Sequence, residues 1–193
     1  MNGFNSIISK KILQNFLLSF ALLVFALPYA QSKEVPLSAD EKEVLKKLRI
    51  TPATQWIEAH DFAGDLMDAK TVNLKDYRGR FVLLNFWATW CSPCLKEMPD
   101  FEKAYLQMGH DKLVVLAVGM GESIEKIKAF SYKYGFSFPL IADNKMEITK
   151  LYGVRNIPVT YMIGPDGVVL GRALGIRDWA SPDLLAFIDS RLK

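Results

Sequence analysis

Phe81-Val82-Leu83-Leu84-Asn85-Phe86-Trp87-Ala88-Thr89-Trp90-Cys91-Ser92-Pro93-Cys94 is the stretch on which the reading of this chain turns. Phe81 to Phe86 is apolar except for Asn85, a run short enough for a strand covered on both faces. A helix is predicted from about Ser92 to Met108, and Leu113 to Val118 forms a second apolar run. Strand, helix and strand in that order predict a parallel crossover unit. The chain's two cysteines fall where the first strand hands over to the helix, the placement of a redox dithiol. Residues three apart in a first helical turn come within the roughly 4.4–6.8 Å between Cα atoms that a disulfide needs, so the pair can open and close with little backbone movement. At the helix N-terminus, unpaired N–H groups and the helix dipole favour a thiolate, which makes Cys91 the expected nucleophile. Cys94, one turn further in, is the expected resolving thiol. Pro93 costs little in the first turn, where an N–H has no partner to lose, and it holds that turn rigid. Two competing readings are a structural disulfide, which would close too small a loop to constrain the unfolded chain much, and half of a zinc site. The zinc reading lacks ligands, because neither His60 nor His110 has paired spacing with another cysteine or histidine; each is expected at the surface or in a turn.

Working outward, Trp56 to Tyr77 reads as strands and turns, a leading hairpin in which Lys70 to Leu74 alternates before a turn at Arg78-Gly79. Residues 33–51 form a charged linker with a short helix, since Ser38 and Glu41 have capping-box spacing ahead of Val44, Leu45 and Leu48, and Thr51-Pro52 ends it. Towards the C-terminus, Ile124 to Tyr134 has helical spacing. Phe138 to Ile141 is a strand or an extended connection, and a short helix is expected over Lys145 to Tyr152. Val159 to Ile163 and Val168 to Ala173 flank Gly164-Pro165-Asp166-Gly167, which predicts an antiparallel hairpin, and a last helix follows Ser181-Pro182. These elements add up to one α/β domain over 52–193, a three-layer sandwich with a mixed sheet and an N-terminal hairpin extension.

Residues 1–32 have the layout of an export signal: Lys10-Lys11 precede an apolar run from Phe16 to Leu27 broken only by Ser19. Cleavage at the small-x-small pattern of Ala30-Gln31-Ser32 and retention as a membrane anchor both stay open. Beyond residue 30 the charge balance is nearly even, because Lys10 and Lys11 supply two of the 24 basic residues against 21 acidic ones. Such a surface offers no electrostatic footprint for nucleic acid, and no glycine-rich phosphate loop is present.

Four motifs carry a family likeness: Asn85 to Cys94, Glu97-Met98-Pro99, Asn156-Ile157-Pro158 and Gly164 to Gly167. On them the chain from about Pro52 onward resembles the TlpA/ResA-like membrane-associated thioredoxins, related to the cytochrome c maturation thiol reductases. The resemblance implies a thioredoxin-like fold in which Pro158 is a cis-proline facing the dithiol and the Ile157 backbone pairs with an extended substrate segment. It further implies that Trp90 shields the dithiol and lines the docking surface, and that Pro99 kinks the helix. Asn85 stands where cytosolic thioredoxins carry a proton-relaying aspartate, a task an amide cannot perform. Glu97 matches a glutamate beside the active-site cavity of ResA-like proteins, which gives it an acid–base role, although its spacing from Cys94 alone is equally that of a solvated helix glutamate.

The activity implied is thiol-disulfide exchange in an extracytoplasmic, periplasmic setting, with the Cys91–Cys94 pair as redox centre and no other cofactor. A dipeptide without histidine between the cysteines favours reduction over strong oxidation. Expected partners are exported proteins with disulfides, such as apocytochromes c, and a membrane thiol-transporter that donates electrons. The alternatives are a copper-binding assembly factor using the same thiolates, a thiol peroxidase, for which Thr89 is one residue too near Cys91, and a redox-inert interaction module.

Overall fold

A computed structural model describes residues 34–68 and 70–193; the expected leader, residues 1–32, lies outside the described residues. In chain order the elements are α1 (Ala39–Lys47), β1 (Thr51–Pro52), β2 (Ala63–Leu66), β3 (Thr71–Asn73), a 3₁₀ turn (Leu74–Tyr77), β4 (Phe81–Trp87), α2 (Ser92–Met108), β5 (Leu113–Met120), α3 (Ile124–Tyr134), β6 (Leu140–Asp143), α4 (Glu147–Leu151), β7 (Val159–Ile163), β8 (Val169–Leu174) and α5 (Pro182–Ser190).

All seven residues of β4 are buried, as its apolar run requires. Alternation along it sorts the side chains into two cores. Phe81, Leu83 and Trp87 join Leu113, Val115 and Ala117 of β5 under α1, α2, α3 and α5, whereas Val82, Leu84 and Phe86 join Val114, Leu116 and Val118 on the opposite face with Phe62, Leu74, Ile148 and Tyr152. That is the three-layer arrangement. The sheet order is β1-β8-β7-β4-β5-β6-β2-β3. β4 pairs in parallel with β5 and β5 with β6, while β7 runs antiparallel between β4 and β8, so the sheet is mixed. The leading hairpin, β2 with β3, extends the sheet by pairing β2 with β6.

Local chemistry fixes the boundaries. The capping box at α1 is complete: the Ser38 N–H donates to the Glu41 carboxylate at 2.7 Å and the Glu41 N–H to Ser38 Oγ at 3.2 Å. Gly135 caps α3 in a left-handed conformation that glycine adopts without a Cβ clash. The expectation that Thr51-Pro52 merely ends the first helix needs correction. α1 stops at Lys47, Arg49 reverses the chain at φ 57°, and Thr51–Pro52 forms a two-residue edge strand on β8. Proline is tolerated there because an edge strand need not donate on both sides.

The charged segment ahead of residue 52 is packed rather than trailing. Leu45 and Ile50 are 0% and 1% exposed within the first core, and Arg191, the residue that caps the end of α5, pairs with Glu41 at 3.1 Å. Leu45→Ala should therefore lower stability by about 2–5 kcal/mol, the cost of truncating a buried leucine. Urea denaturation checks this; a change below roughly 0.5 kcal/mol, the scale of a surface substitution, would show that the segment is only a tether.

Candidate active site

β4 ends at Trp87, and the chain enters α2 through Ala88-Thr89-Trp90. Cys91 is the N-cap residue of α2, its N–H donating to the Ala88 carbonyl at 3.1 Å. Cys91 and Cys94 form a disulfide with Cα atoms 5.3 Å apart, and the Cys94 N–H points at Cys91 Sγ at 3.3 Å. A first-turn N–H on that sulfur is the contact that would stabilise a thiolate there. Cys94 has no exposure and Cys91 retains 5%, so an incoming partner reaches Cys91 first. Pro93 occupies the first turn, and the helix continues through Pro99, which leaves the Leu95 carbonyl without its usual N–H. Beside the disulfide Trp90 is 67% exposed, a large apolar surface.

Beneath the cysteines lies a buried polar cluster. Glu97, one turn past Cys94, has no exposure at all, which removes the solvated-helix alternative. Its Oε1 accepts from Asn85 Nδ2 at 3.0 Å and its Oε2 from the Trp179 indole Nε1 at 2.9 Å. Asn85 Nδ2 also donates to Thr160 Oγ1 at 3.0 Å, while Asn85 Oδ1 has no partner among the described residues. Burial pushes the Glu97 carboxyl up to about 7, against the lowering pull of Trp179, Asn85, and the backbone N–H and charge of Arg177. A group that exchanges its proton near neutrality suits general acid–base work on a neighbouring thiol. Asn85 thus anchors a carboxylate at the level where an aspartate was absent from the sequence.

The Ile157–Pro158 bond is cis. Val159 is paired with Phe86, so Pro158 lies at the end of β4 from which the cysteines follow. The Pro158 carbonyl accepts from the Gly175 N–H at 2.9 Å, whereas the Ile157 N–H and C=O have no hydrogen bond among the described residues. Those two groups are free to pair with an extended segment. His60 and His110 are both exposed, as expected, and no cluster of three or more potential metal ligands occurs among the described residues.

Sequence reasoning did not reach three members of this neighbourhood. Thr160 had a signal, since it interrupts an apolar strand just as Asn85 does, and the two are register partners. Trp179 had none, being 82 residues from Glu97. The third, Glu122, is 1% exposed and takes the Thr89 N–H and hydroxyl at 3.3 and 3.1 Å, which secures the loop leading to Trp90.

The chain is similar in sequence and in fold to known thiol-disulfide oxidoreductases. The AhpC/TSA family model matches residues 57–172. The thiol-disulfide oxidoreductase ResA of Bacillus anthracis is 36% identical over 118 residues, covering 61% of this chain and 68% of that protein. ResA of Bacillus subtilis (strain 168) is 34% identical over 113 residues, 58% of this chain and 63% of that one. Among solved structures, a putative thiol:disulfide interchange protein DsbE from Chlorobium tepidum superposes with a TM-score of 0.65 at 28% identity, covering 72% of this chain and 97% of its own. The pneumococcal exposed lipoprotein thioredoxin Etrx1 of Streptococcus pneumoniae strain TIGR4 gives 0.59 at 31% identity, with coverage of 68% and 99%.

The raised Glu97 carboxyl has a consequence for stability. Between pH 4.5 and about 7 the unfolded chain has released this proton and the folded chain has not, so the folded form binds more protons and stability falls as pH rises. The loss attributable to Glu97 is about 3 kcal/mol, complete once pH exceeds the folded value. Denaturant titrations at pH 4.5 and 8 should show it in the oxidised chain, and Glu97→Gln should remove it.

Proposed function

The chain belongs to the AhpC/TSA family and is a thiol-disulfide oxidoreductase of the ResA type, and from this premise we propose that it reduces disulfides in exported proteins, apocytochromes c among them, by exchange through Cys91 and Cys94. The observation that carries the reading is a disulfide at a helix N-cap with a buried carboxyl group one turn below it.

In the reduced chain the Cys91 thiolate attacks one sulfur of the target disulfide. A mixed disulfide forms, and the other target sulfur leaves as a thiolate that takes up a proton. Glu97 then accepts the Cys94 proton, and the Cys94 thiolate attacks Cys91 Sγ, which releases the second target thiol and restores the Cys91–Cys94 bridge. Two electrons have passed to the target, with the dithiol as the sole redox group. Trp90, Ile157 and Pro158 form the docking surface, where Trp90 offers apolar contact and Ile157 its backbone groups, so recognition needs little sequence in the target. The absence of histidine at Ser92-Pro93 supports the reducing direction, because strong oxidants owe their potential to a greatly stabilised thiolate form.

On the export-signal layout of residues 1–32 the domain works outside the cytoplasm, released by cleavage or held by an anchor, and in an oxidising compartment the spent disulfide is recharged by a membrane thiol-transporter. Etrx1 of Streptococcus pneumoniae, an exposed lipoprotein, supports a surface setting for proteins of this build.

In an assay that follows reduction of a protein disulfide, such as one in an apocytochrome c, Cys91→Ser should abolish turnover. Cys94→Ser should instead accumulate a mixed disulfide through Cys91, visible by mass spectrometry and released by a small thiol. Full activity in Cys91→Ser, or a covalent adduct on Cys94 with Cys91 intact, would sink the assignment of roles.

A further inference from the structure

Trp179 reaches Glu97 from the loop between β8 and α5, at the far end of the chain. Its indole is fully buried and stacks on Phe101, one turn beyond Glu97 on α2, with ring centroids 4.9 Å apart and planes within 15°. The stack leaves the Nε1–H directed at Glu97 Oε2, 2.9 Å away. The loop is itself fixed. Arg177 Nε donates to the Arg49 carbonyl at 2.9 Å and its Nη1 to the Ile176 carbonyl at 2.7 Å, while the Ala180 N–H donates to Asp178 Oδ1 at 3.1 Å. A phenylalanine could keep an aromatic ring against Phe101, though it would not fill the whole of this fully buried site. What the indole adds is a donor, and an indole donates without ever accepting, so its contact is stronger with an ionised carboxylate than with a neutral acid.

We infer that Trp179 is a positioning residue, holding the Glu97 carboxyl group against Asn85 and favouring its ionised form. In its bearing on catalysis this rests on the acid–base role proposed for Glu97. The other groups facing that carboxyl are Asn85 from β4, with Thr160 of β7 behind it, both neutral, and the Arg177 backbone N–H. The charge that reaches it from another element is that of Arg177. Trp179 thus supplies a side-chain donor to one carboxyl oxygen and Asn85 a side-chain donor to the other, a clamp closed from two distant parts of the sequence.

Two measurements test the clamp. In the native chain, NMR should show the Trp179 indole Nε1–H resonance titrating with the same midpoint as the ¹³C-labelled Glu97 carboxyl. In Trp179→Phe, which keeps the stack and deletes the donor, the Glu97 midpoint should rise by about one pH unit, the loss expected for a hydrogen bond to a charged acceptor. The acidic limb of the disulfide-reduction pH profile should move upward with it, and in a Glu97→Gln background the same substitution should leave the profile where it was. An indole resonance indifferent to the Glu97 titration overturns the inference, as does an unmoved carboxyl midpoint in Trp179→Phe. A Glu97→Gln chain with an unaltered pH profile would instead defeat the acid–base role. The two failures are separable because the resonance reads the contact without turnover.

Discussion

A carboxyl group withdrawn from water must be met by hydrogen-bond donors, and the surroundings of Glu97 are organised around that demand. Donors arrive from β4 through Asn85 and from the loop before α5 through Trp179, while Thr160 of β7 shares the Asn85 amide. Elements far apart in sequence therefore have to be in place together before the group one turn below Cys94 has a defined geometry. An isolated strand–helix unit containing both cysteines would hold the disulfide but not this chemistry. The cost of burying the carboxyl is only partly offset by its donors, which is why its proton is held to about pH 7.

The same strand that brings Asn85 to this cluster divides the two cores. Because side chains alternate along β4, an amide at position 85 must share its face with Leu83 and Trp87 and so look toward α2. The antiparallel partner β7 places Thr160 directly opposite, and two residues before it in the chain comes the cis-proline. The polar floor of the site and the edge offered to a substrate segment are consecutive parts of one strand and its approach. A shift of register by one residue would turn Thr160 to the other core and move the approach loop as well.

Much of this was legible in the sequence, for physical reasons that differ from place to place. β4 could be read because a strand buried on both faces needs uninterrupted apolar residues, and α2 and α3 because cap and periodicity agree. The cysteines announced a redox pair by position alone. Glu97 could be nominated by resemblance, yet its burial could not, since a glutamate three residues past a cysteine looks the same whether its helix face meets water or Trp179. The short strand β1 was hidden because two residues carry no periodicity, and the packing of α1 because a single fully buried residue, Leu45, ties an otherwise charged helix to the core.

Asn85 leaves a distinctive arithmetic beneath the thiols. With an aspartate there, two acids within hydrogen-bond range would share their protons and titrate as a pair, each blurring the other's constant. An amide has no proton to trade, so the contact between Asn85 and Glu97 holds one titrating group instead of two. Protonation at this contact is then governed by Glu97 alone, with no second acid across the hydrogen bond to share the proton.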